Sequence, residues 1–402
     1  MRILLITQYF YPENFKGNDI AFELQKRGCQ VDVLTGIPNY PQGTYFDGYG
    51  VFKRRKENLN GVRVYRAFQF PRGKSNKVLM ALNYFSFPFF SSLYILFFLG
   101  WRRYDAVFVQ QLSPIFQAFP AVLLKKIKKI PLYMWVLDIW PDALRSAAGV
   151  KNEKILNTVD KFVQFTYKNC DKILISSRRF TELVNSKYDY SEKMVYYPNW
   201  SDDILQMDDT YEIPKLPDGF KIMIAGNLGK SQNLEAVTEV MLGLKDVPEV
   251  KWVFVGGGSR KEWLEGFIKD NGLEDRAVCL GQYPFKAMPA FYKQADAMLV
   301  TLRAGFPHLE AVVPARLQSY MSAGRPVLAM IGCGGADIIE ESQCGYAVPA
   351  GDSKALIEVI KNKVLTDRDA FEKLGQNGRD FYMKHYRLND CINNLCEILN
   401  DI

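Results

Sequence analysis

The chain has 402 residues, 48% of them hydrophobic, more than one hydrophobic core usually supports, so two domains of roughly 200 residues are expected. The net charge of +7 is uneven: residues 1–200 hold 29 Lys/Arg against 15 Asp/Glu, a net +14, and the remainder carries −7. This asymmetry argues against a general nucleic-acid-binding protein and favours a first domain that faces anionic lipid or a phosphorylated acceptor. A merely solvated basic surface is the alternative.

The first half alternates strand patterns with helical periodicity, which predicts a parallel sheet with helices on both faces. The predicted elements are 3–7, 20–26, 30–34, 106–109, 116–126, 132–137 and 172–176. We therefore expect a Rossmann-like domain over residues 1–200. The acidic, proline-closed stretch that follows predicts an exposed linker over 201–217.

The alternation restarts after the linker and predicts a second Rossmann-like domain over residues 218–380. Its elements are 221–225, 234–244, 251–255, 277–280, 297–301 and 326–330. Residues 381–402 are apolar at helical spacing and predict a C-terminal helix that packs back on one of the domains.

The cysteines and the N-terminal segment indicate the cellular compartment. Seven scattered cysteines without a Cys-x-x-Cys pair do not suit a disulfide framework. The opening MRILLITQYF has none of the regions of a signal peptide and is typical of a buried strand. We expect a cytoplasmic protein.

Residues 84–101 form an 18-residue stretch without formal charge, close to the length that spans a bilayer. Pro88 and several serines interrupt it, and basic residues flank it, with Lys74 and Lys77 before it and LLKKIKKI (123–130) further on. This combination favours an aromatic, basic surface at the headgroup level of an anionic membrane over a spanning helix. A buried core helix is the alternative.

Two glycine turns follow predicted strands in the second half. IMIAGNLGKSQN places glycines where backbone can approach a ligand, with a lysine and a glutamine for phosphate oxygens, and VFVGGGSRKEWL offers a flat surface for a nucleoside. Neither is Gly-x-Gly-x-x-Gly, which argues against a dehydrogenase. The candidate nucleotide-sugar contacts are Gly226, Asn227, Gly229, Lys230, Gln232, Gly257, Gly258, Tyr283, Pro314, Ala315, Gln318 and Ser319.

The segment VVPARLQSYMSAG predicts a helix that starts near Pro314, with Arg316 in its first turn. A helix N-terminus and a guanidinium together can neutralise a departing diphosphate, so Arg316 is the leading catalytic candidate. An ordinary surface arginine is the alternative.

Together these segments resemble the family 4 retaining glycosyltransferases of the GT-B fold, over nearly the whole length. The matching motifs are QYFYPENF, KRGCQVDVLTGIPNYP, LDIWPD, YYPNWSD, AGNLGKSQNLE, VFVGGGSRKEWL, ADAMLVTL and VVPARLQSYMSAGRPVLA. Within the family the chain is most similar to bacterial N-acetyl-L-fucosaminyltransferases of O-antigen and capsule assembly. The resemblance implies an α/β protein with two Rossmann-like domains whose parallel sheets face each other across a cleft.

The resemblance also assigns residues. Two glutamates that many members carry fall at Ala311 and Ser319, so Glu310 is the candidate for the sugar contact. The loop after the first strand corresponds to the family's acceptor and diphosphate loop, which makes Glu13, Lys16 and Gly17 acceptor candidates, with plain loop solvation of Glu13 and Lys16 as the alternative. Asp138, at a strand end, is a candidate for orienting or deprotonating the acceptor hydroxyl, with a helix N-cap as the alternative.

The implied reaction is transfer with retention from a UDP-sugar, the co-substrate, to a polyprenyl-diphosphate-linked saccharide on the inner face of the cytoplasmic membrane. The leaving diphosphate itself takes the acceptor proton, so neither a cofactor nor a metal is required. The chain has two histidines, and its one Asp-x-Asp, at 367–369, lies in a polar helical stretch. A UDP-sugar 2-epimerase and a non-catalytic sugar-nucleotide-binding protein remain open.

Overall fold

The computed structural model describes residues 1–73 and 76–401, and Lys74 of the predicted basic flank lies outside them. The chain divides into two compact units: unit 1 comprises Met1–Ser176, Phe180–Tyr197 and Ile392–Ile402, and unit 2 comprises Ser177–Arg179 and Pro198–Cys391. The expected linker is part of unit 2, because its residues Ile204 and Leu216 are buried in that unit's core.

Unit 1 is built on a sheet in which hydrophobic strands alternate with helices. Its strands are β1 (Arg2–Ile6), β2 (Gln30–Thr35), β3 (Lys56–Leu59), β4 (Val62–Arg66), β5 (Ala106–Gln111), β6 (Leu132–Val136), β7 (Lys172–Ile175) and β8 (Met194–Tyr196). Its helices are α1 (Lys16–Lys26), α2 (Lys77–Tyr94), α3 (Phe119–Lys128), α4 (Asp142–Ala148), α5 (Glu153–Asn169) and α6 (Phe180–Val184).

The strand order is β3-β4-β2-β1-β5-β6-β7-β8, and every pair is parallel except β3 with β4. That antiparallel pair turns at Asn60 and Gly61, both with positive φ (51° and 91°), which is the conformation that an Asn-Gly hairpin favours. The direction of the crossovers reverses between β1 and β5, so the carboxyl ends of these two strands form the crevice where parallel sheets bind ligands.

Unit 2 repeats this plan with parallel strands only. Its strands are β9 (Phe220–Ala225), β10 (Val250–Val255), β11 (Ala277–Gly281), β12 (Ala297–Thr301), β13 (Val327–Met330) and β14 (Gly345–Val348). Its helices are α7 (Leu234–Gly243), α8 (Lys261–Asp270), α9 (Met288–Gln294), α10 (Pro307–Ala311), α11 (Ala315–Ser322), α12 (Cys333–Ser342), α13 (Ser353–Val359) and α14 (Arg368–His385).

The order of this sheet is β11-β10-β9-β12-β13-β14, the Rossmann order, with its switch point between β9 and β12. Side chains alternate between the two faces: Ile222 and Ile224 of β9 pack into one apolar core, and Met223 and Ala225 pack into the other. Because both faces are covered by helices, ligands reach this sheet at its carboxyl edge.

The predicted C-terminal helix is in fact two helices. Helix α14 ends at His385, and α15 (Leu388–Asn400) begins three residues later. The break lies where Arg387 forms a bridge with Ser201 and Tyr382 donates a hydrogen bond to the Ser201 carbonyl. Residues from Ile392 onward are part of unit 1, where the Leu399 carbonyl accepts from Tyr133 Oη.

Helix α2 continues through a π-helical turn (Ile95–Leu99). Within the described residues, the stretch Val78–Leu99 is long and apolar enough to cross a bilayer, although 44% of its most apolar window is buried in the fold. Five positions spaced four residues apart are completely buried, namely Asn83, Phe87, Ser91, Ile95 and Leu99, and Ser86, Pro88 and Ser92 beside them are also buried. One face of the helix is therefore fixed to unit 1, and the other is exposed.

Candidate functional site

At the carboxyl edge of the second sheet, three loops are bound to one another. Leu228 N donates to Gly257 O (2.8 Å), Arg260 N donates to Leu228 O (3.0 Å) and Gly256 N donates to Gly281 O (2.7 Å). These bonds join the loops after β9, β10 and β11, so the edge is held in one arrangement before any ligand binds.

The glycines after β10 permit this contact between loops. A Cβ at Gly256 would lie 1.8 Å from Gly226 O, and one at Gly258 would lie 2.5 Å from Leu228 O; their φ angles are 146° and 154°. At Gly257 a Cβ would meet Gln282 Cγ at 2.9 Å. Close packing of the loops therefore favours glycine at these positions, whereas Gly258 itself is exposed and Gly257 is partly exposed, and their contact with a nucleoside stays a prediction.

Arg316 lies in the first turn of α11, and Pro314 directly precedes the helix with extended backbone (φ −63°, ψ 128°). Its Nη2 donates to Asn227 O (3.2 Å) and would lie 3.5 Å from a Cβ at Gly226. Its Nη1 is buried and has no hydrogen-bond partner among the described residues. The guanidinium therefore lies at the carboxyl end of β9 with one donor still to be satisfied.

Tyr320, which the sequence did not single out, fixes this arrangement. Its hydroxyl donates to Ala225 O (3.1 Å) and accepts from Ala225 N (3.0 Å), and its side chain is completely buried. Four residues separate it from Arg316, so both project from one face of α11. The four-residue spacing of Arg316 and Tyr320 in ARLQSY was the sequence signal that could have predicted their shared helix face.

The turn after β9 is also tied to the end of β12 across the switch point. Thr301 Oγ1 donates to Gln232 O, and Arg303 N donates to Ser231 O (2.9 Å). The Gln232 side chain is buried, with Oε1 lacking a partner among the described residues, whereas Lys230 and Asn227 are exposed. A Cβ at Gly229 would lie 2.8 Å from Nδ2 of the exposed Asn227, whose side chain is free to move aside.

Other predicted donor contacts have partners within unit 2. Gln318 is buried, and its amide nitrogen, in the orientation that satisfies both groups, donates to Pro314 O and Ala315 O (3.0 Å each). Ser319 is partly exposed. Tyr283, on the loop after β11, packs edge-on against Phe291 with ring centroids 4.8 Å apart. Gln318 therefore supports the helix start, and Ser319 is the more accessible of these two predicted nucleotide-sugar contacts.

Glu310 lies in α10, where its Oε1 accepts from Gly305 N (3.0 Å). It lines a cavity of about 430 Å³ at the carboxyl ends of β13 and β14, together with Ala304, Gly332 and Cys333. The sugar-contact candidate thus faces open space, separated along the sheet edge from the glycine turns.

Among the acceptor candidates in unit 1, Glu13 is only 2% exposed. Its Oε1 accepts from the backbone N–H of Asn39 and Tyr40 (2.7 Å each), and its Oε2 accepts from Phe10 N (3.2 Å). Burial, partly offset by these hydrogen bonds, raises the pKa of Glu13 to about 7. The structure corrects the expected role: Glu13 joins the loops after β1 and β2 and presents no free oxygen to an acceptor.

Gly17 and Lys16 begin helix α1. A Cβ at Gly17 would lie 2.4 Å from Gln110 Oε1 at the end of β5, so the glycine lets α1 approach the switch point. Lys16 is partly exposed and lies 3.5 Å from the carboxylate of Asp19. Asp138 follows β6, is partly exposed and accepts from Ser113 Oγ (2.7 Å). Asp138 does not begin a helix, since α4 starts at Asp142, which leaves its carboxylate available at the sheet edge.

No group of three or more His, Cys, Asp or Glu side chains in the described part of the chain could hold a metal ion. The positive groups at the carboxyl edge of the second sheet include the Arg316 guanidinium, the Lys230 ammonium and the start of α11. This donor set fits a diphosphate.

The comparisons with known proteins agree with this geometry. Residues 209–381 match the sequence model of the family described as glycosyl transferases group 1. The whole chain superposes on GT-B glycosyltransferase structures, so its fold is GT-B, and the protein is a glycosyltransferase. The match lies entirely in unit 2, where the glycine turns and Arg316 are found.

Among individual proteins, an uncharacterized glycosyltransferase of Methanocaldococcus jannaschii is 23% identical over 96% of this chain and 94% of its own length. The amylovoran biosynthesis glycosyltransferase AmsK of Erwinia amylovora is 28% identical over 27% of each chain. Among solved structures, sucrose-phosphate synthase of Thermosynechococcus elongatus superposes with a TM-score of 0.76 at 16% identity, covering 99% and 98% of the two chains. Anabaena HepE in complex with UDP-glucose gives 0.69 at 16% identity, covering both chains completely.

Proposed function

We propose that the protein is a retaining glycosyltransferase of polysaccharide assembly. It moves an N-acetylated deoxysugar from a UDP-sugar to a saccharide linked to undecaprenyl diphosphate, at the inner face of the cytoplasmic membrane, in O-antigen or capsule synthesis. N-acetyl-L-fucosamine is the first sugar to test. The amylovoran and colanic acid relatives support a polysaccharide product, and the UDP-glucose complex of HepE supports a UDP donor.

The observation that carries the donor half of the proposal is the position of Arg316. Its guanidinium lies at the end of β9 beside the start of α11, with a buried Nη1 that lacks a protein partner in the described chain, and the exposed Lys230 follows the same strand. A nucleotide diphosphate gains negative charge as the bond to the sugar breaks, and prearranged positive groups stabilise that charge without reorganisation. The site is built for a leaving diphosphate.

Retention follows if the departing diphosphate accepts the proton of the attacking hydroxyl on the same face of the sugar. The protein then supplies no strong base, and Asp138 orients the acceptor hydroxyl. Glu310, facing the cavity beside β13 and β14, contacts the donor sugar. These two roles extend the residue assignments that the family resemblance implies.

Membrane attachment is the second part of the proposal, and helix α2 supports it. Its exposed face carries Val78, Leu82, Phe85 and Phe89, with Phe97 on the π-helical turn. Leu82 is 42% exposed and the other four side chains are more than half exposed. Such a continuous apolar stripe is unusual for a free surface. The opposite face includes Asn83, which donates to Phe70 O (2.6 Å) and accepts from Gln8 Nε2 (2.9 Å), so the helix lies on the bilayer instead of crossing it.

The partner of this surface is an anionic bilayer, because basic residues accompany it. Helix α3, which packs on α2, ends with exposed Lys126 and Lys129 and partly exposed Lys128 around the exposed Ile127; Lys125 is paired with Asp171. Each lysine near an anionic surface contributes about 1 kcal/mol of attraction. We infer that apolar insertion of α2 and the positive charge of α3 act together on the bilayer.

The transfer proposal is tested by UDP release from a panel of UDP-sugars, with and without a short-chain polyprenyl-diphosphate N-acetylglucosamine. The panel contains UDP-N-acetyl-L-fucosamine, UDP-N-acetylquinovosamine and UDP-N-acetylglucosamine. Release that requires the acceptor and occurs with one donor supports the proposal and names the sugar. Turnover without acceptor contradicts it and favours an epimerase, for which conversion of the UDP-sugar would be measured in the same samples.

The membrane proposal is tested by sedimentation with vesicles that contain phosphatidylglycerol. Insertion of each exposed phenylalanine contributes roughly 1.5 kcal/mol of favourable free energy. Replacing both Phe89 and Phe97 with Ser should therefore weaken vesicle binding by about 100-fold. The matched control is Phe285→Ser, which removes a 43% exposed phenylalanine of unit 2. Equal binding of the double variant and the control would contradict the proposed surface.

A further inference from the structure

Arg72 lies in the segment after β4, at the carboxyl edge of the first sheet, surrounded by tyrosines from three other segments. Its guanidinium carbon is 5.5 Å from the ring centroid of Tyr40 and 5.4 Å from that of Tyr84. Its Nη1 donates to Tyr9 Oη (3.4 Å). The side chain is thus held between aromatic rings from the loops after β1 and β2 and from α2.

The charge of Arg72 is not balanced by the protein. Within residues 1–73 and 76–401 it forms no ion pair, whereas Arg66 at the end of β4 pairs with Glu57, and Arg102 lies near Asp32. Burial raises the pKa of both Tyr9 and Tyr84, so these phenols stay neutral. A half-buried cation among neutral groups is a favourable partner for an anion, because an anion replaces the solvation that the cation has lost.

The surroundings keep this cation in place. Arg72 N donates to Asn39 Oδ1 (3.0 Å), and Asn39 N donates in turn to Glu13 (2.7 Å). Tyr9 Oη donates to Asn83 Oδ1 (3.4 Å). The buried carboxylate of Glu13 and the buried amide of Asn83 therefore fix the loops that carry Arg72 and its tyrosines, which makes the cluster a prearranged site.

The residues next to Arg72 and its tyrosines indicate what kind of anion would fit. Tyr84 faces Arg72, but the next residue, Phe85, is 58% exposed on the apolar stripe of α2 and stacks on Phe116 (5.1 Å). Burial raises the pKa of the Tyr84 phenol, Arg72 lowers it, and the nearby carboxylate of Asp138 raises it by a smaller amount, so Asp138 also lies close to Tyr84. A cation thus lies between an apolar surface and a carboxylate suited to a sugar hydroxyl.

We propose that Arg72, held by Tyr9, Tyr40 and Tyr84, binds the diphosphate of a lipid-linked acceptor. The lipid chain then lies along α2 and the sugar extends towards Asp138. This inference rests on the proposed function for the identity of the acceptor, and it adds the residue that recognises the diphosphate.

The test compares two acceptors that share one sugar: the short-chain polyprenyl-diphosphate acceptor and a phosphate-free alkyl glycoside. In Arg72→Gln, the KM for the diphosphate acceptor should rise about 10- to 100-fold, the range for one charge-assisted contact. The KM for the glycoside, the KM for the donor and kcat at saturating acceptor should change less than about twofold. Arg72→Lys, which keeps the charge but not the planar fork, should restore part of the loss.

The matched control is Arg103→Gln, which removes the same charge from an exposed arginine that forms no ion pair in the described chain. It should leave both KM values unchanged. If Arg72→Gln raises the KM for both acceptors equally, or for neither, diphosphate recognition by Arg72 is refuted.

A binding measurement separates this inference from the proposed function and from lipid headgroups. Calorimetric titration with geranyl diphosphate, with excess UDP present to occupy the donor site, should show binding to the native protein and at least tenfold weaker binding to Arg72→Gln. Native binding without transferase turnover would refute the proposed function and leave the anion site intact. If Arg72→Gln loses vesicle binding but keeps geranyl diphosphate binding, Arg72 contacts membrane headgroups and the inference is wrong.

Discussion

The role of Arg316 yields the sharpest prediction. In Arg316→Ala, the guanidinium at the end of β9 is lost, and with it the hydrogen bond from Nη2 to Asn227 O (3.2 Å). The glycine loops stay bound to one another through the backbone bonds of Leu228, Gly256 and Arg260. The substitution therefore removes charge from the site and leaves its scaffold in place.

The expected size of the effect follows from the charge. Two opposite unit charges about 4 Å apart, at the effective dielectric constant of a protein surface, attract by about 4 kcal/mol. Because the diphosphate gains negative charge as the glycosidic bond breaks, most of this attraction is realised in the transition state. We expect kcat to fall by about 10² to 10³, the range for loss of one prearranged donor, while donor affinity changes less than about tenfold.

The assay measures kcat from UDP release at saturating acceptor and donor affinity from calorimetric titration with the intact UDP-sugar in the absence of acceptor. Arg316→Lys keeps a positive charge and should retain activity between those of the native protein and the alanine variant. Thermal unfolding provides the folding control, since loss of one hydrogen bond costs about 1 kcal/mol and lowers Tm by a few degrees. An unchanged kcat in Arg316→Ala, or a loss confined to affinity for the intact UDP-sugar, would refute leaving-group stabilisation by this residue.

Three further predictions concern the loops, a buried acid and metal dependence. Gly258→Ala places a Cβ 2.5 Å from Leu228 O at a φ of 154°, so it should destabilise unit 2 by about 2 kcal/mol or more and weaken UDP binding. The control is Gly266→Ala in α8, where a Cβ meets nothing within 4 Å, and which should stabilise the protein by about 0.5 to 1 kcal/mol. Equal urea midpoints for the two variants would contradict the loop packing. Burial raises the pKa of Glu13 to about 7, so its contribution to stability is complete below its unfolded-state pKa and is lost as pH rises through 7. Relative to Glu13→Gln, the free energy of unfolding of the native protein should fall by about 3 kcal/mol between pH 4.5 and 7.5. A difference between the two proteins that stays constant with pH would show that the pKa of Glu13 is not raised. Treatment with EDTA should leave UDP release intact, because Arg316 and Lys230 meet the diphosphate charge, and loss of activity that magnesium restores would overturn this.

The sequence predicted most of the sheets because their strands are buried on both faces. The hydrophobic runs at β1, β5, β9, β10 and β12 have no other stable position, so alternation with helices sufficed. The β3–β4 hairpin was missed because its first strand, KENL, is polar and lies at the edge of the sheet. Its Asn60-Gly61 turn was the available signal. The short strand β14 is likewise at an edge and has no long apolar run.

The candidate site was predictable where backbone geometry alone determines it. The glycines after β9 and β10 and the helix start at Pro314 follow from strand ends and turn chemistry. Burial of individual side chains was not predictable, because it depends on contacts between distant segments. Glu13 has the sequence context of a solvated loop acid, yet it is buried and accepts hydrogen bonds from Asn39 N and Tyr40 N. The tyrosines that contact Arg72 come from three separate parts of the chain.

The central claim is transfer of a sugar from a UDP donor to a diphosphate-linked acceptor. The most direct measurement quantifies UDP and the extended acceptor in the same reaction, by chromatography and mass spectrometry, and determines the anomeric configuration of the new linkage by NMR. The account predicts one extended acceptor for each UDP released, with the configuration of the donor retained. UDP formed without an extended acceptor, or a product with inverted configuration, would contradict it.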